Sequence, residues 1–116
     1  MKVSYIGIAT PNLPQLAAFY KNVLGFAVKT TMGDVAVEME KSGIGFVLFS
    51  NDAMIEASGY EDFRAIRKTS SLVLSLEVDS AEEVDQEYSS FISKGAIAIK
   101  EPEDKQWGQR TAFLRI

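Results

Sequence analysis

Few side chains in this chain could do chemistry, because the 116-residue sequence contains no histidine and no cysteine. It therefore lacks the commonest general base, the commonest transition-metal ligand and any thiolate nucleophile. What remains provides neither a nucleophilic triad nor a phosphate-binding loop of the G-x-x-x-x-G-K type. The polar candidates are Tyr5, Glu38 and Arg110, which could orient a ligand or exchange a proton with it.

Each polar candidate also has an ordinary structural interpretation. Glu38 could be a general base or a counterion for a cation, but a solvated carboxylate on a strand is the commoner case. Arg110 could hold a ligand carboxylate or phosphate in a forked pair. We favour instead an ion pair between Arg110 and the acidic segment 101–104. Tyr5 could contact a ligand or only fill space.

Two aromatic side chains are the apolar candidates. Phe49 ends a predicted strand, where it could contact an apolar ligand or close the cleft altogether. Trp107 is the only tryptophan and lies beside a glycine in the polar stretch DKQWGQR. An aromatic ring in such a loop could stack on a ligand or cover an edge of the core.

Charge and hydropathy exclude several classes of partner. The net charge is −4, and residues 77–104 carry nine acidic residues and two lysines. Without a basic stripe, neither nucleic acid nor an anionic membrane is an expected partner. The acidic segment could favour a cationic ligand or be a solvated surface. No apolar run approaches the ~20 residues of a membrane span, and the N-terminus lacks a signal-peptide pattern. We expect a cytoplasmic protein.

The first half of the chain reads as strand, helix and three strands. Residues 3–9 are rich in strand-forming side chains, and alternation places Tyr5 on the face opposite Ile6 and Ile8, which should pack under the helix. Asn12, with Gln15 three residues later, predicts a capping box at the start of a helix that ends near Gly25. Strands are predicted at residues 26–31, 35–40 and 44–50. Residues 51–70 are predicted to be a connector, which could contain a short helix.

The second half repeats this pattern with an offset of 68 to 70 residues. A strand is predicted at residues 72–78, followed by a helix that Ser80 and Glu83 would cap. The expected buried face of this helix consists of Val84, Tyr88, Phe91 and Ile92. Gly95 would end the helix, and strands are predicted at residues 96–100 and 111–116. The pattern indicates a duplicated βαβββ module, and the last strand of the second copy is either missing or lies beyond residue 116. A partner subunit could cover the exposed edge, so we expect a homodimer.

Two segments carry a resemblance to a known family. The stretch YIGIATPNLPQLAAFYKNVLGF and the end of the chain, EPEDKQWGQRTAFLRI, resemble the vicinal oxygen chelate superfamily. This superfamily includes glyoxalase I, extradiol dioxygenases and fosfomycin- and bleomycin-resistance proteins. The resemblance implies an α+β fold in which two βαβββ modules form a curled mixed sheet around a cleft. It further implies one domain over residues 1–116, with modules at 1–50 and 71–116 and a connector at 51–70.

The resemblance also implies where a metal ion would be bound in other members. The usual first histidine falls on Tyr5, a carboxylate would lie near Phe49, and the second histidine falls near Val73. The last glutamate would lie in a strand after Ile116. Tyrosine can bind some metals, but phenylalanine and valine can bind none. We therefore expect no metal and no cofactor.

The predicted function is metal-free binding of a small organic molecule, for which cationic and aromatic compounds are the candidates, as in the drug-sequestering bleomycin-resistance branch. Burial against the candidate side chains would hold the ligand, and their polar groups would orient it; the predicted ligand-binding residues are Tyr5, Glu38, Phe49, Val73, Trp107 and Arg110. One alternative is a metal-independent lyase, isomerase or dioxygenase-related enzyme that uses Glu38 or Tyr5 as acid or base. The other is a ligand-free module for dimerisation or regulation.

Overall fold

A computed structural model describes residues 1–64 and 73–115. The chain divides into two compact units, Met1–Thr69 and Ser70–Ile116, and each is described by itself. Within the described ranges, no helix combines the length and the apolar character that a membrane crossing requires.

The first unit has the predicted order of strand, helix and three strands. Its elements are β1 (Ile6–Thr10), α1 (Leu13–Asn22), β2 (Ala27–Met32), β3 (Ala36–Lys41) and β4 (Ile44–Ser50). They form a mixed four-stranded sheet in the order β1-β4-β3-β2. Strand β1 runs parallel to β4, and the remaining pairs are antiparallel. The βαβββ prediction is confirmed for this unit.

The start of α1 differs from the predicted capping box. The Asn12 side chain donates to the side chain of Gln15 and makes no hydrogen bond to the helix backbone. Instead, the Thr10 hydroxyl accepts from the Asn12 backbone N–H at 3.1 Å. The two side chains satisfy each other, so the orphan N–H groups of the first turn receive nothing from the predicted cap.

The helix ends as its sequence indicates. Gly25 has a φ of +77°, a conformation that side chains with a Cβ rarely adopt. The Lys41 ammonium donates to the Leu24 carbonyl oxygen at 2.9 Å, which satisfies a backbone acceptor just beyond the helix.

The core of the first unit lies between α1 and one face of the sheet. Met39 and Leu48 are fully buried on that face. Tyr20, Phe26 and Phe46 form an aromatic cluster with ring centroids 5.1 to 6.1 Å apart. Such rings bury large apolar areas and prefer the tilted and edge-on contacts seen here.

The buried face of β1 is only partly protected. Ile6 and Ile8 pair with Phe46 and Leu48 of β4, so both belong to the helix-covered face, as predicted. Ile6 is nevertheless 45% exposed, while Ile8 is half-buried. The predicted packing of Ile6 under the helix is therefore incomplete, because it is the first residue of an edge strand.

The connector contains helical structure as far as it is described. Helix α2 (Asn51–Ser58) begins where the Ser50 hydroxyl accepts from the Ala53 backbone N–H at 3.1 Å. It ends at Gly59, and a short 3-10 helix, Glu61–Arg64, follows. The rest of the predicted connector, residues 65–70, lies outside the described residues.

Over residues 73–115, the second unit contains one helix and a two-stranded antiparallel sheet. Helix α3 (Ala81–Ser93) is followed by β5 (Ile97–Asp104) and β6 (Arg110–Arg115). The Ser80 hydroxyl accepts from the Glu83 N–H at 3.2 Å, so the Ser80 cap is confirmed. The α+β class predicted from the sequence is confirmed as well.

Two predictions for the second unit are wrong within the described residues. Residues 73–78 form no strand, and Leu72 lies outside the described residues. Strand-like composition gives no strand unless a neighbour accepts and donates the backbone hydrogen bonds. The expected buried face of α3 is only half-buried at Val84, Tyr88 and Phe91, and Ile92 is exposed, because a two-stranded sheet covers less of a helix than a four-stranded one.

Truncating the aromatic cluster tests this description of the core. We expect Phe46→Ala to lower the free energy of unfolding by about 3 kcal/mol, because it leaves a cavity at a nearly fully buried site. Ile44→Ala, at a half-exposed position of the same strand, should cost less than about 1 kcal/mol. Urea unfolding followed by circular dichroism measures both, and equal losses would contradict the assigned core.

Candidate functional site

The face of the first sheet that points away from α1 carries an open groove. Cross-strand pairing places Glu38 opposite Thr30 and Val47, and it places Phe49 opposite Ala36. Since side chains alternate along a strand, these residues share one face. The groove has a volume of about 370 Å³. Its lining includes Tyr5, Met32, Ala36, Glu38, Val47 and Phe49.

Two aromatic rings meet over a glycine in this groove. The ring centroids of Tyr5 and Phe49 lie 6.2 Å apart, and the ring planes are inclined by 47°. A Cβ atom added at Gly7 would approach the Phe49 ring to 3.3 Å and the Tyr5 ring to 3.6 Å. Glycine at this position therefore lets both rings lie close to the sheet.

Glu38 supplies the carboxylate of the groove, whereas Glu40, the next residue on the same face of β3, is paired with a lysine. Glu40 forms an ion pair with Lys29 of β2. The hydrogen bond that Lys29 donates to Glu40, followed by the charge of Glu40, raises the pKa of Lys29 above its ordinary value. Among the described residues, none forms a hydrogen bond or an ion pair with the exposed carboxylate of Glu38.

The remaining three predicted site residues belong to the second unit. Arg110 forms ion pairs with Asp85 of α3 at 2.8 Å and with Asp104 at 3.2 Å, and these hydrogen bonds raise the pKa of its guanidinium. The favoured ion pair between Arg110 and the acidic segment 101–104 is thus confirmed, with Asp104 as the partner. Trp107 is 69% exposed, and its indole N–H donates to Gln109 at 2.7 Å. Val73 is 79% exposed.

The structure therefore brings Tyr5, Glu38 and Phe49 together at one groove. That Val73, Trp107 or Arg110 contacts a ligand stays a prediction, since the groove is built from the first unit alone.

The groove does not fit a metal ion. Its donor atoms are the Glu38 carboxylate, the Tyr5 phenol and the hydroxyls of Ser4 and Thr30. Over residues 1–64 and 73–115, no three Asp or Glu side chains come together as a metal-binding group. Hard cations need several charged or carbonyl oxygens, and transition metals prefer nitrogen or sulfur.

Comparison with known proteins identifies the family. The model of the glyoxalase/bleomycin resistance protein/dioxygenase superfamily matches residues 2–115. The chain belongs to this superfamily. The resemblance noted in the sequence is thereby confirmed. The comparison with curated proteins finds no significant match.

Solved structures of this superfamily share the fold. An enzyme of the same superfamily from Burkholderia phytofirmans PsJN superposes with a TM-score of 0.81 at 23% identity, over 96% of this chain and 87% of that chain. A glyoxalase/bleomycin resistance protein/dioxygenase from Nocardioides gives 0.78 at 19%, over 98% and 76%. Lactoylglutathione lyase from Agrobacterium tumefaciens gives 0.68 at 16%, over 98% and 84%. At these identities the likeness shows the fold alone.

Part of the groove was not predicted from the sequence. Met32, Val47 and Thr30 line it, although none was a candidate. The strand register could have identified Thr30 and Met32. If Glu38 lies on the face away from α1, a hairpin that turns at Gly33 places Thr30 and Met32 on the same face. The β-bulge between Val28 and Thr30 lies farther from the hairpin, so it changes the register of Val28 but not that of Thr30 and Met32.

Adding a methyl group beneath the two rings tests the groove geometry. We expect Gly7→Ala to lower the free energy of unfolding by about 1 kcal/mol, because the new Cβ crowds Phe49. Gly45→Ala is the matched control: its Cβ meets only the Met39 carbonyl at 3.9 Å, so a gain of about 0.5 kcal/mol is expected. Denaturant unfolding gives both values, and the same change in both variants would contradict the close approach at Gly7.

Proposed function

We propose that this superfamily member binds a small organic molecule in the groove of its first unit without a metal ion. The observation that carries this proposal is the groove itself, about 370 Å³ in volume and lined mainly by apolar and aromatic side chains. Small-molecule sites are typically concave and apolar, contain a few placed polar groups and have volumes of roughly 300–1,000 Å³.

Different lining residues would contact the apolar and the polar parts of the ligand. Phe49, Met32 and Val47 offer apolar surface against which an organic body is removed from water. The Tyr5 hydroxyl and the Glu38 carboxylate offer hydrogen bonds that fix its orientation. This arrangement favours ligand binding over the ligand-free alternative, because Tyr5 and Phe49 leave open space on the face of the sheet instead of filling it.

Sequestration of a drug or metabolite is the specific role we propose. Bleomycin resistance is one of the activities for which the superfamily is named. A fold by itself does not determine function, so the proposal rests on the groove and uses the family as analogy. For the same reason, the structural likeness to a lactoylglutathione lyase carries no proposal of that reaction.

The metal-free part of the proposal predicts indifference to divalent ions. We expect zinc, nickel, manganese and iron(II) at micromolar concentration to leave the melting temperature unchanged, since a ligand of the native state would raise it. Treatment with a chelator should be equally without effect. A rise in melting temperature that depends on Tyr5 or Glu38 would contradict the proposal.

Ligand binding is tested by a thermal-shift screen with aromatic, cationic and neutral compounds. We expect hits whose stabilising effect is lost in Phe49→Ala, because the ligand loses its apolar contact surface. Phe63→Ala is the matched control, since Phe63 is also half-buried but lies outside the groove. The ligand-induced shift, and not the melting temperature itself, is compared, so that any loss of stability cancels. If Phe49→Ala leaves the ligand-induced shift of a compound unchanged, that compound binds outside the groove.

The same hits test the predicted contact with Trp107. This residue is the only tryptophan, so the emission of the protein excited at long wavelength reports on its surroundings alone. We expect a bound aromatic ligand to change that emission. Unchanged emission at saturation would remove Trp107 from the proposed site.

A further inference from the structure

The described lining of the groove in the first unit carries a negative charge and no positive charge. Among the described residues that line it, Glu38 is the only one with a charged side chain; the others are apolar, aromatic or hydroxyl-bearing. A shallow carboxylate beside apolar walls concentrates cations and repels anions. The lining therefore distinguishes ligands by the sign of their charge.

The lysine on the neighbouring strand is paired with another carboxylate. The ammonium of Lys29 forms an ion pair with Glu40. The hydrogen bond to Glu40 and the charge of Glu40 raise the pKa of Lys29, and the charge of Glu38 adds to this effect without an ion pair between the two side chains. Because Lys29 is paired with Glu40, no cation from the described part of the chain forms an ion pair with the Glu38 carboxylate.

The aromatic rings add a second attraction for positive charge. Tyr5 and Phe49 both line the groove, and their rings are inclined by 47° with centroids 6.2 Å apart instead of being stacked in parallel. Aromatic faces attract ammonium groups within about 6 Å of the ring centroid. The hydroxyls of Ser4 and Thr30 can accept hydrogen bonds from N–H groups of a ligand.

We propose that the ligand of this groove is an organic ammonium compound, with a protonated amine near Glu38 and an apolar body against Phe49 and Met32. This inference rests on the proposed function and adds to it the charge class of the ligand. Glu38 selects the ligand by its charge, while the apolar lining supplies contact area to ligands of any charge.

Three probes of nearly equal size separate charge from shape: benzylamine, benzyl alcohol and benzoate. Each is titrated into the full ¹⁵N-labelled chain at low ionic strength, and the shifts of groove amides give the affinity. We expect benzylamine to bind about fivefold more tightly than benzyl alcohol, a ratio in the range of an exposed charge contact. Benzoate should bind most weakly. Raising the salt to 0.5 M should reduce both the advantage of benzylamine and the disadvantage of benzoate, and leave benzyl alcohol unchanged.

A variant of the carboxylate provides the second measurement. Glu38→Gln should remove most of the preference for benzylamine over benzyl alcohol, leaving only what the aromatic rings contribute, and should leave the affinity for benzyl alcohol unaffected. Glu56→Gln, an exposed change on α2 of the same unit, should alter neither. Both substitutions are nearly isosteric, and the amide spectrum verifies that each variant is folded.

The outcomes separate this inference from the proposed function. If benzyl alcohol binds the groove as tightly as benzylamine, or if Glu38→Gln leaves the preference intact, the ammonium proposal is overturned and metal-free ligand binding stands. If none of the three probes binds but an uncharged compound from the wider screen binds the groove, the ammonium proposal is likewise overturned and metal-free ligand binding stands. If neither the probes nor any screened compound shifts the groove amides, both proposals fail.

Discussion

The packing of α1 on one face of the four-stranded sheet is the constraint on which the first unit depends. Tyr20 from the helix meets Phe26 and Phe46 edge-on, and the fully buried Met39 and Leu48 belong to the same layer. Because strand side chains alternate, fixing one set of residues inward fixes its neighbours outward. A slip of one residue would bury Glu38, at the cost of an unpaired buried charge. The core thus determines the identity of the groove lining.

The second half of the chain shows that a repeated sequence pattern does not guarantee repeated packing. In the first unit, β1 lies at the edge of the sheet and is paired only with β4. The strand predicted to correspond to β1 includes residues 73–78, which form no strand. Within residues 73–115, the two observed strands pair with each other and provide no counterpart of β4. A strand whose only neighbour would be such a counterpart has nowhere to place its hydrogen bonds.

Sequence reasoning was most reliable where a signal was local or tied to alternation. The glycine at position 25, the Ser80 cap and the three strands after α1 follow from single residues or short patterns. Alternation predicts that Tyr5 faces away from the helix, but that Glu38 and Phe49 share this face with it follows from the cross-strand register. One failure is itself local, because the Asn12 side chain binds the Gln15 side chain instead of a backbone N–H. The other needs information from another part of the chain, namely how much of α3 its sheet covers.

The lack of imidazole and thiol groups changes what this fold can recognise. A metal ion binds strongly through a few atoms, whereas a groove without one must gather affinity from area. Glu38 contributes little to that total, because exposed charge pairs are worth at most about 1 kcal/mol. Its effect is on selection: an anion of the same shape loses attraction and meets repulsion, so the difference between two ligands exceeds the gain for either. A single exposed carboxylate can therefore set the charge class of a ligand whose affinity comes mainly from Phe49 and the apolar strands.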